Sequence, residues 1–155
     1  EINQALASTP IKKIELVGVN NPKADIKVHF APIKQFPALA KKYQFTYQPN
    51  NWGYFWTWWN PKHEIHSAVV LLASDLLKGK NLRHFTLEEI TQSLGLSNDA
   101  PEFADSIFYS RGNDGGSAQA LSALDRKLIH FYYNHVRPGD KGPQVRAAWK
   151  QHWPR

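Results

Sequence analysis

The feature that most constrains the fold of this chain is its longest uninterrupted apolar run, which extends from Ala68 to Ala73. A helix that crosses a bilayer needs about 20 apolar residues, so this run is far too short to span a membrane. A short continuous apolar run is typical of a strand that is buried on both faces, or of an edge strand beside a cleft. We therefore predict a strand within His66–Asp75.

Length and composition indicate one globular domain. The chain has 155 residues, of which 42% are hydrophobic and 21% charged, and this length is enough to bury a substantial core. The net charge of +6 is spread along the chain without a long basic block, so we expect no nucleic-acid partner. The absence of cysteine excludes disulfides and thiol catalysis. We predict a single domain over 1–155, with an N-terminal arm at 1–10 and a C-terminal tail at 136–155 packed on the body.

Apolar periodicity predicts a mixture of strands and helices, and hence an α+β fold. Gly95 follows the first long helical pattern as a stop signal, and Ser122 with Asp125 has the spacing of a capping box at the start of the second. The predicted elements are strands at Ile11–Val19 and Ala24–Phe30, an extended segment at Asn50–Asn60, a short helix at Gln35–Tyr43, and two longer helices at about 82–95 and about 121–135.

The extended segment is unusually rich in aromatic residues, and alternation places them on two faces. One interpretation is a strand whose rings complete the core, because strands favour aromatic residues and rings bury large areas. The other is an exposed platform for sugar rings or for an extended peptide. The residues that share one face, and that would form this platform, are Trp52, Tyr54, Trp56 and Trp58.

The helix at about 82–95 carries the most specific spacing in the chain. In the pattern H-E-x-x-H-x-x-G-x-x-H, Glu89 and Gly95 occupy the glutamate and glycine positions. The three histidine positions are taken by Glu88, Gln92 and Asn98.

Three further segments resemble segments of the proteins that carry this pattern, and they follow the same order along the chain. Residues 24–30 read A-D-I-K-V-H-F, residues 106–108 read S-I-F, and residues 121–125 read L-S-A-L-D. Over residues 11–135 the chain thus resembles the metzincin peptidases, with a degenerate zinc motif. Within that clan it is similar to a group of uncharacterised bacterial exported proteins and lipoproteins that carry E-E-x-x-Q-x-x-G-x-x-N-D followed by S-I-F.

The resemblance implies a metzincin-like fold, in which a mixed twisted sheet lies over two long helices and a cleft separates the edge strand from the active-site helix. It places Glu89 at the general-base position, the vestigial ligand positions at Glu88, Gln92 and Asn98, and Phe108 at the cleft floor. It also implies a secreted or periplasmic protein, with a lipid anchor in the full-length precursor as one form.

The chemistry of the replaced ligands predicts a loss of zinc. Zinc peptidases hold the ion with imidazole or thiolate groups, whereas Glu88, Gln92 and Asn98 offer one carboxylate and two amides. Such oxygen ligands suit a hard cation, held weakly, better than zinc. We therefore expect no cofactor, an idle Glu89, and a non-catalytic binding or structural module whose cleft takes a peptide or a cell-envelope glycan.

Other chemistries remain open at this stage. A divergent metal-dependent hydrolase could use Glu89 as general base with a non-standard metal site. A site shifted by one helical turn would use His84, whereas His63–His66 has the wrong spacing for a helical zinc motif. A carboxyl pair formed by Glu88 and Glu89, with Asp99 nearby, is a further option, although adjacent helical residues diverge by about 100°. The glycine-rich segment Arg111–Gly116 lacks phosphate-loop spacing and is interpreted as a surface loop.

Overall fold

The computed structural model describes residues 1–11, 13–111 and 115–153, and these form a small α+β domain with a three-stranded mixed sheet. The predicted α+β class is therefore confirmed. No helix among the described residues is long and apolar enough to cross a membrane. The helices are α1 (Ile2–Ala5), α2 (Phe36–Tyr43), α3 (Gly79–Gln92), α4 (Ala123–His135) and α5 (Gly142–His152), with a 3-10 turn at Ile33–Gln35, and the strands are β1 (Ile26–Ala31), β2 (Gly53–Trp59) and β3 (Ile65–Ala73).

The apolar run forms the centre of the sheet. β3 lies between β1, which is parallel to it, and β2, which is antiparallel. Val70 pairs with Val28 on one side and with Phe55 on the other. Every residue from Ala68 to Ala73 is buried. The interpretation of this run as a strand buried on both faces is confirmed, and the alternative of an edge strand beside a cleft is wrong, because β2 occupies that edge.

The two faces of the sheet are covered by different helices. Phe36 and Ala40 of α2 and the following Phe45 join the first hydrophobic cluster with the apolar residues of β3. Leu82 and Phe85 of α3 pack against the same cluster. Phe85 approaches the face of β2 that carries Gly53, whereas Phe45 stacks on the neighbouring Tyr54. Successive strand residues point to opposite faces, so α2 and α3 lie on opposite sides of the sheet.

A second hydrophobic cluster joins α1, α4 and the segment that contains S-I-F. Its buried members are Ala5, Leu6, Ile107, Phe108, Leu121 and Ile129. Farther along the chain, Trp149 and Trp153 pack their rings edge-on against Phe131 of α4. The tail that contains α5 is therefore in contact with the body of the domain through its aromatic residues.

The capping box predicted at the start of the second long helix is confirmed. Ser122 is the N-cap of α4, and its hydroxyl accepts a hydrogen bond from the Asp125 backbone N–H at 3.1 Å. The Asp125 carboxylate accepts from the Ser122 N–H at 2.8 Å, from the Ser106 hydroxyl at 2.6 Å and from the Ile107 N–H at 2.9 Å. One buried carboxylate thus ties the S-I-F segment to α4.

The strand predicted at Ile11–Val19 is wrong for the described residues of that segment, which contain no strand. Leu16 and Val19 are almost fully exposed, so the apolar half of the alternation has no sheet to pack against. Instead, the Asn3 side chain holds this segment against α1, because it donates to the Ile14 carbonyl and accepts from the Ile14 N–H, each at 2.8 Å.

The helix that carries the motif begins and ends three residues earlier than the spacing predicted. α3 ends at Gln92, and the Gly95 N–H donates to the Gln92 carbonyl at 2.9 Å. Gly95 has a φ of +116°, and a Cβ there would fall 2.8 Å from the Tyr132 hydroxyl. The glycine of the motif therefore serves both a left-handed turn and a close contact with α4.

Candidate functional site

A cleft of about 940 Å³ separates the edge strand β2 from α3. Glu88, Glu89 and Gln92 of α3 line one side of it, and Asp99 lines it from the segment that follows the helix. The opposite wall is formed by the residues on the face of β2 that is turned toward α3, and these are Gly53, Phe55, Thr57 and Trp59.

Gly53 sets the distance between the strand and the helix. A Cβ at this position would fall 2.7 Å from Phe85 Cδ1 and still closer to Glu89 Oε1. A side chain of any size on Gly53 would displace both α3 residues, so the glycine allows the Glu89 carboxyl group to lie directly against the strand backbone. An isolated glycine inside a strand pattern is the sequence signal for such a close approach.

The carboxyl groups of the cleft share one electrostatic environment. Burial, and then the nearby Asp99 charge, raise the pKa of Glu88 to about 8. Burial raises the pKa of Glu89 well above its usual range, and the charges of Glu88 and Asp99 raise it further. Although adjacent helical residues diverge, the charge of Glu88 therefore reaches Glu89, and the charge of Asp99 reaches both.

Glu89 differs from the other buried acids in its partners. Its exposed fraction is only 6%, yet among the described residues no hydrogen bond reaches its carboxyl group. Glu88 has at least His84, whose Nε2 lies 3.5 Å from Glu88 Oε2. Unlike the fully bonded Asp125, Glu89 retains its whole hydrogen-bonding capacity at the wall of a cleft.

His84 is buried behind the cleft and connects α3 to the segment after residue 114. Its Nδ1 lies 2.8 Å from the Ala118 carbonyl oxygen, and its Nε2 lies 2.8 Å from the Gly115 carbonyl oxygen. The backbone of this segment thus holds the ring of His84, which does not line the cleft. The hypothesis of a metal site shifted by one turn onto His84 stays a prediction.

Of the three vestigial ligand positions, the structure brings two together. Glu88 and Gln92 both line the cleft, whereas Asn98 is exposed and does not line it. The next residue, Asp99, faces the cleft instead, and its Oδ1 accepts a hydrogen bond of 3.1 Å from Gln92 Nε2. The described residues contain no group of three His, Cys, Asp or Glu side chains arranged to hold a metal ion.

Phe108 and the alternative histidine segment lie outside the cleft. Phe108 is buried in the second hydrophobic cluster and is not part of the cleft lining, in contrast to the expected cleft floor. His63 has a φ of +62° in the turn before β3, where its ring packs against Gly139. The central part of the predicted loop at Arg111–Gly116 lies outside the described residues, while Gly115 and Gly116 line the cleft.

The aromatic residues of β2 divide between core and surface. The rings of Tyr54 and Trp56 stack on Phe45 with centroid distances of 5.9 and 5.6 Å, and Trp58 contacts the same ring edge-on at 6.2 Å. These rings are partly buried against the core, and Tyr54 and Trp56 also line the cleft. A ligand platform formed by this face stays a prediction. The exposed indoles are Trp52 and Trp59, with exposed fractions of 44% and 61%.

The outer edge of β2 is unpaired within the described part of the chain, since β1-β3-β2 is the order of the sheet. The Ala73 N–H donates to the Trp52 carbonyl at 2.8 Å, so the backbone of Trp52 points inward to β3. By antiparallel alternation, the N–H and C=O groups of Gly53, Phe55 and Thr57 point outward. Sequence reasoning missed this edge, because no local pattern reveals which strand ends a sheet.

The fold and the site together define a class of protein: an α+β domain with a carboxyl-lined cleft between a free strand edge and a helix. The chain belongs to the family described as Protein of unknown function (DUF2927), which matches residues 2–151. Neither the curated proteins nor the solved structures contain a match to this chain.

Proposed function

We propose that this domain is an exported, metzincin-like binding module without catalytic activity, and that it holds an extended peptide against the outer edge of β2. The observation that carries this proposal is the position of that unpaired edge, which forms one wall of the cleft. A strand edge with unpaired N–H and C=O groups is a template for an added strand. The degenerate motif supports a binding role, because its three histidine positions hold Glu88, Gln92 and Asn98 instead of imidazole ligands.

The geometry suits a peptide in the strand conformation. Gly53, Phe55 and Thr57 offer outward backbone groups at every second residue, and each bond formed with a peptide contributes about 0.5–1.5 kcal/mol. Side chains of the peptide that point toward α3 would meet Phe55 and Trp59 on one side and the carboxyl groups on the other. The backbone thus supplies affinity, and the cleft supplies selectivity.

The test uses a blocked peptide, acetyl-Ser-Val-Thr-Lys-Thr-Val-Ser-amide, and measures binding by titration and amide hydrogen exchange. We expect the peptide to slow exchange at Gly53, Phe55 and Thr57. Thr57→Pro removes one outward N–H and should weaken binding about fivefold or more, since the loss of one bond costs about 1 kcal/mol. Thr57→Val keeps that N–H and is the matched control.

A second form of the test leaves the protein unchanged. Peptides N-methylated at alternate residues lose the donors of one edge, so one methylation pattern should abolish binding while the other retains it. Unchanged exchange at the β2 amides, or equal affinity for both methylated peptides, would exclude strand addition as the mode of binding.

A divergent metal-dependent peptidase is the second candidate, and the raised pKa of Glu89 in a cleft is the observation that favours it. Incubation of the protein with casein and added zinc tests this alternative. If casein is cleaved and Glu89→Gln abolishes the cleavage while Glu102→Gln does not, the peptidase replaces the binding module.

A glycan is the third candidate ligand, and the exposed Trp52 and Trp59 are the observation that favours it. Quenching of indole fluorescence by soluble peptidoglycan fragments would support this alternative.

A further inference from the structure

The charge of the cleft is opposite to the charge of the whole chain. The chain carries a net charge of +6, yet the described residues that line the cleft include Glu88, Glu89 and Asp99 and no Lys, Arg or His. A cationic group bound in this cleft would therefore meet carboxyl groups and no basic side chain among the described lining residues.

Within this acidic cluster, the carboxyl group of Glu89 has no hydrogen-bond donor among the described residues. The residue is buried, with an exposed fraction of 6%, and it lines the cleft. A ligand that brings N–H donors and positive charge to Glu89 would give its carboxyl group partners that the described residues do not supply.

We propose that the cleft selects peptides that carry a Lys or Arg side chain, whose ammonium or guanidinium group binds Glu89 and Asp99. This inference rests on the proposed function, because it assigns a specificity to the same peptide cleft. A long basic side chain can extend its apolar stem along Phe55 and Phe85, which line the cleft, and place its charged end between the carboxyl groups. Aromatic walls add cation–π attraction to the ion pair.

The arrangement favours an organic cation over a metal ion. No group of three His, Cys, Asp or Glu side chains in the described residues converges on one point, as a metal with ligands at about 2.0–2.6 Å requires. An ammonium or guanidinium group instead spreads several N–H donors over a wider region, which matches carboxyl groups held on different elements.

Proton linkage supports the inference. The pKa of Glu88 is raised to about 8 and that of Glu89 is raised as well, with Asp99, Tyr54 and His84 as the other titratable groups around them. A bound cation favours the ionised carboxylates, so binding releases protons. The affinity for a basic peptide should therefore increase as the pH rises from about 6 to about 8.

The experiment compares four versions of the blocked peptide, with Lys, Arg, norleucine or Glu at the central position, by calorimetric titration in two buffers of different ionisation enthalpy. We expect the Lys and Arg peptides to bind about tenfold or more tightly than the norleucine peptide and to release protons, and the Glu peptide to bind most weakly. Glu89→Gln should reduce the preference for Lys to about twofold or less.

Two variants complete the design. Glu102→Gln removes the same charge from an exposed residue outside the cleft and should preserve the preference. Asp99→Asn serves as the second cleft variant if Glu89→Gln does not fold, and it should also reduce the preference.

The outcomes separate the two proposals. Equal affinity for all four peptides, with protection of the β2 amides, would overturn the cation selectivity and leave the binding module in place. A preference for Lys that depends on Glu89 but not on the N–H of Thr57 would leave the selectivity and overturn strand addition. Competition by Ca²⁺ alone at micromolar concentration would show that the carboxyl groups form a metal site and would overturn this inference.

Discussion

At the scale of single residues, the buried acids of this protein illustrate how partners decide the role of a carboxyl group. Asp125 accepts hydrogen bonds from Ser106, Ile107 and Ser122 and holds two segments together. Glu88 and Glu89 are also buried, but they lie at a cleft beside the charge of Asp99. The first arrangement stabilises the fold, whereas the second raises the pKa of both glutamates.

This contrast predicts a pH dependence of stability. Because the folded-state pKa of Glu88 is raised to about 8 from an ordinary value near 4.5, the unfolded state binds fewer protons than the folded state between these values. The contribution of Glu88 to stability is therefore complete below about pH 4.5, decreases by at most about 1.4 kcal/mol per pH unit, and is lost above about pH 8.

Urea unfolding from pH 4 to pH 9 measures this effect. Glu88→Gln should match the wild type near pH 4 and exceed its stability near pH 8, whereas Glu102→Gln should follow the wild-type curve at every pH. A wild-type stability that rises from pH 5 to pH 8 relative to Glu88→Gln would show that Glu88 is ionised in the folded protein.

At the scale of elements, the site depends on how closely α3 approaches β2. The contact is made where a strand residue without a side chain meets Phe85 and Glu89. On the other face of the sheet, Phe45 provides the ring on which Tyr54 and Trp56 stack. The edge strand is thus held from both faces, and its outer backbone edge pairs with no other strand of the described residues.

Replacement of Gly53 by Ala should disturb this contact. The new Cβ overlaps Phe85 and Glu89, so we expect a loss of about 1–3 kcal/mol in the free energy of unfolding, together with weaker peptide binding. Gly18→Ala is the matched control: nothing lies within 4 Å of its Cβ, and its effect should stay within about 0.5 kcal/mol. Equal urea midpoints for the two variants would contradict the close packing of β2 on α3.

At the scale of the whole molecule, two hydrophobic clusters support the cleft from different sides. The sheet cluster holds β2 and α3, and the second cluster holds the S-I-F segment against α1 and α4. Apolar burial stabilises both clusters, and the Asp125 hydrogen bonds add to the second.

We therefore predict that the purified protein contains no stoichiometric zinc, and that a chelator leaves its melting temperature unchanged within about 1 °C. Metal analysis and thermal unfolding with and without chelator measure both quantities. Zinc near one equivalent, or a large decrease in melting temperature on chelation, would require a metal site and would favour the peptidase alternative.

Engineered histidines test which residue, Asp99 or Asn98, occupies the third ligand position. The triple variant Glu88→His, Gln92→His, Asp99→His should bind zinc more tightly than the variant with Asn98→His as its third change, because Asp99 faces Gln92 and Asn98 does not line the cleft. Tighter binding by the Asn98→His variant in calorimetric titration would support the third ligand position predicted from the spacing.

The sequence by itself determined those features that depend on neighbouring residues. The apolar run of β3, the helical spacing of α3 and the capping box of Ser122 and Asp125 all act over a few residues, so their patterns predicted an α+β fold and the approximate positions of its elements. The same local patterns brought Glu88, Glu89 and Gln92 to one helix that lines the cleft.

Only the tertiary structure decided which of these patterns found a partner. The alternation at Ile11–Val19 matched a strand as well as β1 did, but no strand pairs with its described residues. Which face of β2 is buried depends on Phe45. Whether Asp99 or Asn98 faces the cleft depends on the path of the chain after α3. Contacts between residues distant in sequence set these outcomes, because a periodic pattern specifies which face is apolar but not what will cover it.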